Sequence, residues 1–89
     1  MAEYIAECFW AGVSEQALDE LDELVRERTR SLESVSYRGS MLLPEDEVVF
    51  CFFEGASADV VRHAAELANV PFARIVESTH FALRRAARP

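Results

Sequence analysis

Carboxylates at the ends of predicted strands are the residues of this chain best suited to chemistry. Glu3 and Glu7 stand four residues apart in a first predicted strand, so they share one face of it. An unpaired carboxylate beneath the helices would be costly, so we expect this face to point away from them. Glu54 and Glu77 close the third and fourth strands, which run opposite to the first and therefore end near its beginning. If both point outward, up to four carboxylates meet at one end of a sheet face, where Arg38 can join them.

Such a cluster suits two kinds of chemistry. Carboxylate oxygens hold hard divalent cations or a small cationic or polar ligand. Crowded carboxylates also raise one another's pKa, which suits acid–base work. The alternative is plain salt bridging to Arg38 or Arg74 at exposed strand ends, and the sequence leaves both open. The predicted ligand-binding residues are Glu7, Tyr37, Arg38, Glu54 and Glu77.

Histidine is scarce, and His63 is the better placed of the two histidines. It lies on the flank of a predicted helix, and imidazole is the commonest metal ligand among side chains. A metal site would combine His63 with Glu54 and Glu7. The alternative is a boundary histidine that is hydrogen-bonded to Glu66, Asp59 or the backbone.

Other reactive residues lack a catalytic pattern. Cys8 and Cys51 form no CxxC or zinc-ribbon spacing, so we expect two free, buried thiols. The sequence contains no Gly-rich phosphate loop, nucleophile elbow, HExxH or EF-hand loop.

Composition restricts the class of protein. The 89 residues suffice for one domain, and the hydrophobic content of 51% is typical of a folded one. A net charge of −7 argues against non-specific nucleic-acid binding. No stretch approaches a membrane span, and the first residues lack the pattern of a signal peptide, so we expect a cytoplasmic protein.

The strands and helices that position these residues are predicted from the spacing of apolar residues and from the capping and turn residues between them. The pattern predicts strands over 3–10, 35–43, 48–54 and 72–78, with helices after the capping residues Ser14 and Ser57. The order β-α-β-β-α-β is that of the ferredoxin-like α+β fold. Right-handed crossovers place both helices on one face of an antiparallel sheet with strand order 4-1-3-2.

The third strand is apolar on both of its faces. Residues 48–53 read Val-Val-Phe-Cys-Phe-Phe, and an unbroken apolar run indicates cover above and below. Two helices cover one side of a small sheet. We therefore predict that a second copy of the chain covers the other side, giving a homodimer with a pocket roofed by Phe50, Phe52 and Ile5.

Several short blocks resemble a known family. They are Tyr-Ile-Ala-Glu at 4–7, Ser-Tyr at 36–37, Cys-Phe-Phe-Glu-Gly-Ala at 51–56, Val-Arg-His-Ala at 61–64 and Ala-Asn-Val-Pro-Phe-Ala-Arg-Ile-Val-Glu at 68–77. Together they resemble a family of small actinobacterial-type domains of unknown function, whose best-described members are nickel-binding, ferredoxin-like dimers. The resemblance covers about residues 3–78, and it implies the same fold, a face-to-face dimer and a nickel or other divalent metal ligand.

The sequence thus predicts a ferredoxin-like domain at 1–78, followed by a basic tail at 79–89. The predicted function is that of a small dimeric ligand-binding protein, with nickel or another divalent metal as ligand. The partners would be a second copy and a small molecule or metal ion, with no nucleic acid or membrane. The alternative is a cofactor-independent oxygenase, cyclase or isomerase of the dimeric α+β barrel architecture.

Overall fold

The computed structural model describes residues 1–78, and six elements follow one another within them. The basic tail predicted at 79–89, including His80, lies outside the described residues. The elements are β1 (Ala2–Phe9), α1 (Glu15–Thr29), β2 (Val35–Leu43), β3 (Val48–Gly55), α2 (Ala58–Leu67) and β4 (Arg74–Ser78).

The predicted ferredoxin-like topology is confirmed. All three neighbouring strand pairs are antiparallel, and the sheet order is β2-β3-β1-β4, which is the predicted 4-1-3-2 read from the other edge. Both helices pack on one face, where Val25 and Val61 meet Cys8, Val49 and Phe53 in a fully buried core. Burial of these apolar side chains supplies the main stabilisation of the fold.

Helix ends follow the predicted capping residues. Ser14 Oγ accepts a hydrogen bond of 3.0 Å from the amide of Ala17, and Ser57 Oγ accepts one of 3.3 Å from Val60. Each cap satisfies an amide that the first helical turn leaves without a partner. After α2, Asn69 adopts the left-handed conformation with φ of 57°.

Three strands differ from prediction at their ends, and the smallest change is in β3, which ends at Gly55 rather than at residue 54. β1 begins at Ala2 and ends at Phe9 rather than Trp10. β4 begins at Arg74 rather than at residue 72, because the amide of Phe72 donates to the carbonyl of Val70 at 2.8 Å and closes a turn. The first two residues of the predicted strand therefore belong to the helix–strand connection.

The other face of the sheet, which no described helix covers, is called the open face below. Directly opposed residues of antiparallel strands share a face, so the register assigns its members. They are Glu3, Ile5, Glu7 and Phe9 of β1, Val48, Phe50, Phe52 and Glu54 of β3, Ser36, Arg38, Gly39, Met41 and Leu43 of β2, and Arg74, Val76 and Ser78 of β4.

Candidate functional site

The open face has an acidic end and an apolar end. Glu3 lies directly opposite Glu54 on one side and opposite Ser78 on the other. Six residues further along β1, Phe9 is 63% exposed and lies opposite Val48. The face therefore changes from charged to apolar along the strands, over roughly 20 Å at the usual rise per residue.

Three of the four predicted carboxylates share this face. Glu3 and Glu7 lie on it, as strand parity predicts, because Tyr4 and Cys8 between and beside them are buried under the helices. Glu54 joins them from β3. Glu7 lies four residue pairs beyond Glu54 along the β1–β3 ladder, so one copy of the chain does not bring those two carboxylates onto a single ion.

Glu54 pairs with the predicted Arg38. Arg38 Nη1 lies 3.1 Å from Glu54 Oε1, and the two side chains are 53% and 35% exposed. A β-bulge in β2 between Tyr37 and Gly39 accommodates Arg38 beside the strand pairing. This ion pair between Arg38 and Glu54 is the alternative to a ligand site that the sequence left open. Solvent screening makes an ion pair of such exposed side chains weak.

Glu7 pairs with Arg74 in the same manner. Arg74 Nε donates to Glu7 Oε1 at 2.6 Å, and the two residues lie directly opposite each other in the β1–β4 ladder. The Glu7 side chain is only 16% exposed, whereas that of Arg74 is 68% exposed. Each predicted ligand carboxylate on the open face thus already has an arginine counter-ion.

Two predicted ligand residues lie on the other face. Glu77 is directly opposite Tyr4, which is buried beneath the helices, so Glu77 projects away from the open face and is exposed. The expected gathering of four acids is therefore wrong for Glu77. Tyr37 is opposite Phe53 and also lies on the helix-covered face. The sheet separates both from Glu7 and Glu54.

Tyr37 belongs instead to a polar cluster between β2 and α1. Its hydroxyl donates to Oδ1 of Asp22, and Ser40 Oγ lies 2.8 Å and 3.0 Å from the two oxygens of the same carboxylate. The guanidinium of Arg26 lies 5.4 Å from the centre of the Tyr37 ring, which stabilises the ring by a cation–π interaction.

The bulge explains why this cluster forms. Residues 37 and 40 would point to opposite faces of a regular strand. The extra residue in β2 brings Tyr37 and Ser40 to the same side, so both donate to Asp22. The sequence contained one indication of this arrangement, since Gly39 within a strand is typical of a bulge. Its φ of 126° favours glycine.

Burial is the largest cause that raises the pKa of Tyr37 above its usual range. The nearby Cys51 and the hydrogen bond to Asp22 raise the pKa further. The phenol is consequently a neutral hydrogen-bond donor near pH 7. This cluster is therefore suited to holding β2 against α1 rather than to proton transfer.

Cys8 and Cys51 are free, fully buried thiols, as predicted. They are neighbours on the helix-covered face, where Cys8 also donates to the carbonyl of Ala6 at 3.8 Å. The hydrogen bond between the thiols, followed by burial, raises the pKa of Cys51. The same hydrogen bond lowers the pKa of Cys8 against the opposing effect of burial. The pair therefore retains a proton on Cys51.

His63 is exposed on α2, in the layer that packs against the other side of the sheet from Glu7 and Glu54. The predicted metal set is thus not assembled within one copy of the chain. Among residues 1–78, no group of three or more histidine, cysteine, aspartate or glutamate side chains is arranged to hold a metal ion.

A shallow depression beside the β2–β3 turn is lined by Leu43, Pro44, Glu45 and Asp46. No predicted ligand residue takes part in it. Within the described part of the chain, no helix is long and apolar enough to span a membrane.

Comparisons with known proteins agree with this topology. The solved structure of SCO4226 from Streptomyces coelicolor A3(2) aligns with a TM-score of 0.77 and 20% sequence identity, covering 91% of this chain and 100% of that one. At this identity the likeness shows the fold alone. No curated protein matches the chain.

A family model matches residues 4–77, and its description is "Nickel responsive protein SCO4226-like". The match spans nearly all of the described residues, as the resemblance in the sequence predicted. The description names a response to nickel rather than a reaction, so the enzyme alternative is not favoured. The chain belongs to the SCO4226-like family of nickel-responsive proteins.

Proposed function

We propose that this protein is a homodimer that binds nickel or another divalent cation between the open faces of its two subunits. The observation that carries the proposal is the open face itself, which combines exposed apolar side chains with three carboxylates. Support also comes from the family description, which refers to nickel.

The apolar end supplies the reason for dimerisation. Phe9, Met41 and Leu43 are 63%, 40% and 36% exposed, and Val76 is 38% exposed on the same face. Contiguous apolar surface of this kind marks interaction sites. A second copy matches it in shape and chemistry, because a two-fold axis places the same patch on both subunits. Sheets that pack face to face lie about 10 Å apart, which two layers of side chains fill.

The same two-fold axis would complete a metal site. In β1, Glu3 lies two residues before Ile5 and Glu7 lies two residues after it. On the neighbouring strand β3, Glu54 lies opposite Glu3 and Phe52 lies opposite Ile5. If the axis crosses the strands at Ile5, the row containing Glu54 in one subunit faces the row containing Glu7 in the other. Each dimer then has two equivalent sites, and each site combines Glu54 of one subunit with Glu7 of the other.

Carboxylate ligands fit this chain because the described histidine is remote from the face. Divalent nickel accepts oxygen as well as nitrogen ligands. In the metal-free protein, Arg38 and Arg74 neutralise the two carboxylates. Nickel would replace these arginines as counter-ion, and the ion pairs with exposed arginines are weak enough to be exchanged.

The test combines sedimentation with nickel titration. The full chain should sediment as a dimer, and nickel at one hundred times its dissociation constant should stabilise it by about 2.7 kcal/mol, which raises Tm by several degrees. Glu54→Gln or Glu7→Gln should abolish the nickel-dependent rise in Tm. Glu20→Gln on α1 is the matched charge control and should retain it.

His63→Ala distinguishes this site from one on the helices. The variant should respond to nickel as the parent does, because His63 lies on the opposite layer. Loss of the response in His63→Ala with a normal response in Glu54→Gln would overturn the site. A monomer at micromolar concentration would overturn the dimer.

A further inference from the structure

The charges of the open face are ordered across the sheet. Its carboxylates, Glu3, Glu7 and Glu54, belong to β1 and β3, which are the two central strands. Its arginines, Arg38 and Arg74, belong to β2 and β4, which are the edge strands of the sheet formed by residues 1–78. Each guanidinium therefore reaches inward from an edge to a carboxylate nearer the middle of the sheet.

In both ion pairs the arginine is the outer member. The Arg74 side chain is far more exposed than the Glu7 side chain beneath it, and Arg38 is more exposed than Glu54. A subunit that packs on this face would therefore meet guanidinium groups that already neutralise their carboxylates. Removing a paired carboxylate from water costs less free energy than removing an unpaired one.

The arginines bring the face close to neutrality. One open face holds three carboxylates and two arginines, a net charge of −1, so two faces together hold −2. Without the arginines, the six carboxylates of two faces would hold −6. Sheets packed face to face are about 10 Å apart, and the salt that screens charges in solution is largely excluded between them. The repulsion would therefore oppose association strongly.

We propose that Arg38 and Arg74 are the counter-ions that allow the subunits to associate without metal, and that divalent cations take over this role in the metal-bound dimer. This role rests on the proposed function, because it takes the open face as the interface. Two divalent cations add +4, so they would return a dimer without these arginines from −6 to −2, the charge of the metal-free parent. Arginines that stayed in place beside the metal would leave an excess of positive charge.

The edge position of the arginines permits the exchange. Within residues 1–78, no strand lies beyond β2 or β4, so either side chain can turn away from its carboxylate into solvent. A cationic side chain on a central strand would remain inside the interface instead. The two arginines would thus regulate the site without being ligands of the metal.

The experiment removes both arginines from the full-length chain by Arg38→Gln with Arg74→Gln. In the presence of a chelator, we expect the dissociation constant of the dimer to rise by about a hundredfold or more, because like charges that face each other across an interface oppose association. Nickel should restore the dimer. The parent should be a dimer with and without nickel. Sedimentation over a range of protein concentrations measures both.

Two further variants separate charge from packing. Arg30→Gln with Arg62→Gln removes the same charge from exposed positions at the end of α1 and on α2, and this variant should remain a dimer without metal. Adding Glu7→Gln and Glu54→Gln to the substitutions of the open-face arginines returns each face to a net charge of −1. This fourfold variant should dimerise without metal and should not respond to nickel.

The outcomes distinguish the arginines from the metal site. If the arginine double variant dimerises without metal as tightly as the parent, the role of the arginines is overturned and the metal site stands. A monomer that the fourfold variant does not rescue would also overturn it, because the arginines would then act through packing rather than charge. A monomer rescued by the fourfold variant but not by nickel would support the arginines and contradict the metal site. A monomeric parent would overturn both.

Discussion

Tyr37 and Asp22 are joined by a hydrogen bond from the phenol to Oδ1, and this bond ties an edge strand to a helix. Ser40 donates to the same carboxylate from the other side of the bulge. Asp22 thus gathers two donors from β2, while Arg26 stacks on the Tyr37 ring from α1. Among residues 1–78, β2 has a strand neighbour on one side only, and these contacts attach β2 to helix α1 as well.

Tyr37→Phe should lower the free energy of unfolding by about 1.5–3 kcal/mol, the range for a hydrogen bond to a charged group. The packing of the ring against Phe53, at 5.1 Å between centroids, is retained in this variant. Urea denaturation measures the loss. A double-mutant cycle with Asp22→Asn should show coupling, and strictly additive effects of the two substitutions would contradict the proposed role of the bond.

Alkaline pH should destabilise the protein through the same residue. The pKa of Tyr37 is raised in the folded state by burial, so the folded protein keeps a proton that the unfolded chain loses above about pH 10. Stability from this group is complete below that pH and falls as pH rises beyond it. Unfolding measured from pH 8 to 11 should show the decline, and Tyr37→Phe should flatten it. An equally steep decline in that variant would assign the effect to other groups.

The limits of sequence-based prediction are visible at these positions. The bounds of β2 and the caps Ser14 and Ser57 were predicted correctly, because periodicity and capping are local properties. The face of Glu3 and Glu7 was also predicted, since a carboxylate beneath the helices would be costly. The face of Glu77 depends on register with β1, which neighbouring residues do not encode.

The polar cluster illustrates a second limit. Tyr37, Ser40 and Asp22 come together only because one extra residue in β2 shifts the alternation of faces. Gly39 indicated a bulge, but its effect on Tyr37 required the pairing with β3. Likewise, the separation of His63 from Glu54 follows from the two layers of the fold rather than from any local pattern.

Gly55→Ala should destabilise the domain by about 1–3 kcal/mol, the usual cost of overpacking a core. A Cβ at this position would lie 2.6 Å from Cγ2 of Val61, which is fully buried in α2. Thermal denaturation measures the change. The double variant Gly55→Ala with Val61→Ala tests the cause, because it removes the clashing methyl group. The glycine substitution should cost less in that background, and an unchanged cost would show that the contact is not responsible.

The two thiols should be unreactive until the domain opens. Cys8 and Cys51 are both fully buried, so a reagent cannot reach either sulfur while the domain is closed. An aromatic disulfide reagent should label them at a rate that follows unfolding as urea is increased. Tyr37→Phe should accelerate labelling in proportion to its loss of stability. Rapid labelling of the native protein by dilute reagent would contradict the described packing.

Phe9→Glu should convert the proposed dimer into a monomer without unfolding it. Phe9 is 63% exposed in the single subunit, so its replacement should change the free energy of unfolding of that subunit by less than about 0.5 kcal/mol. In a dimer joined by the open faces, however, the substitution would bury an unpaired charge among apolar side chains. Leu67→Glu is the matched control, since Leu67 is 40% exposed on α2, away from the open face. Sedimentation should show monomers for Phe9→Glu and dimers for Leu67→Glu, and the reverse result would place the interface on the helices.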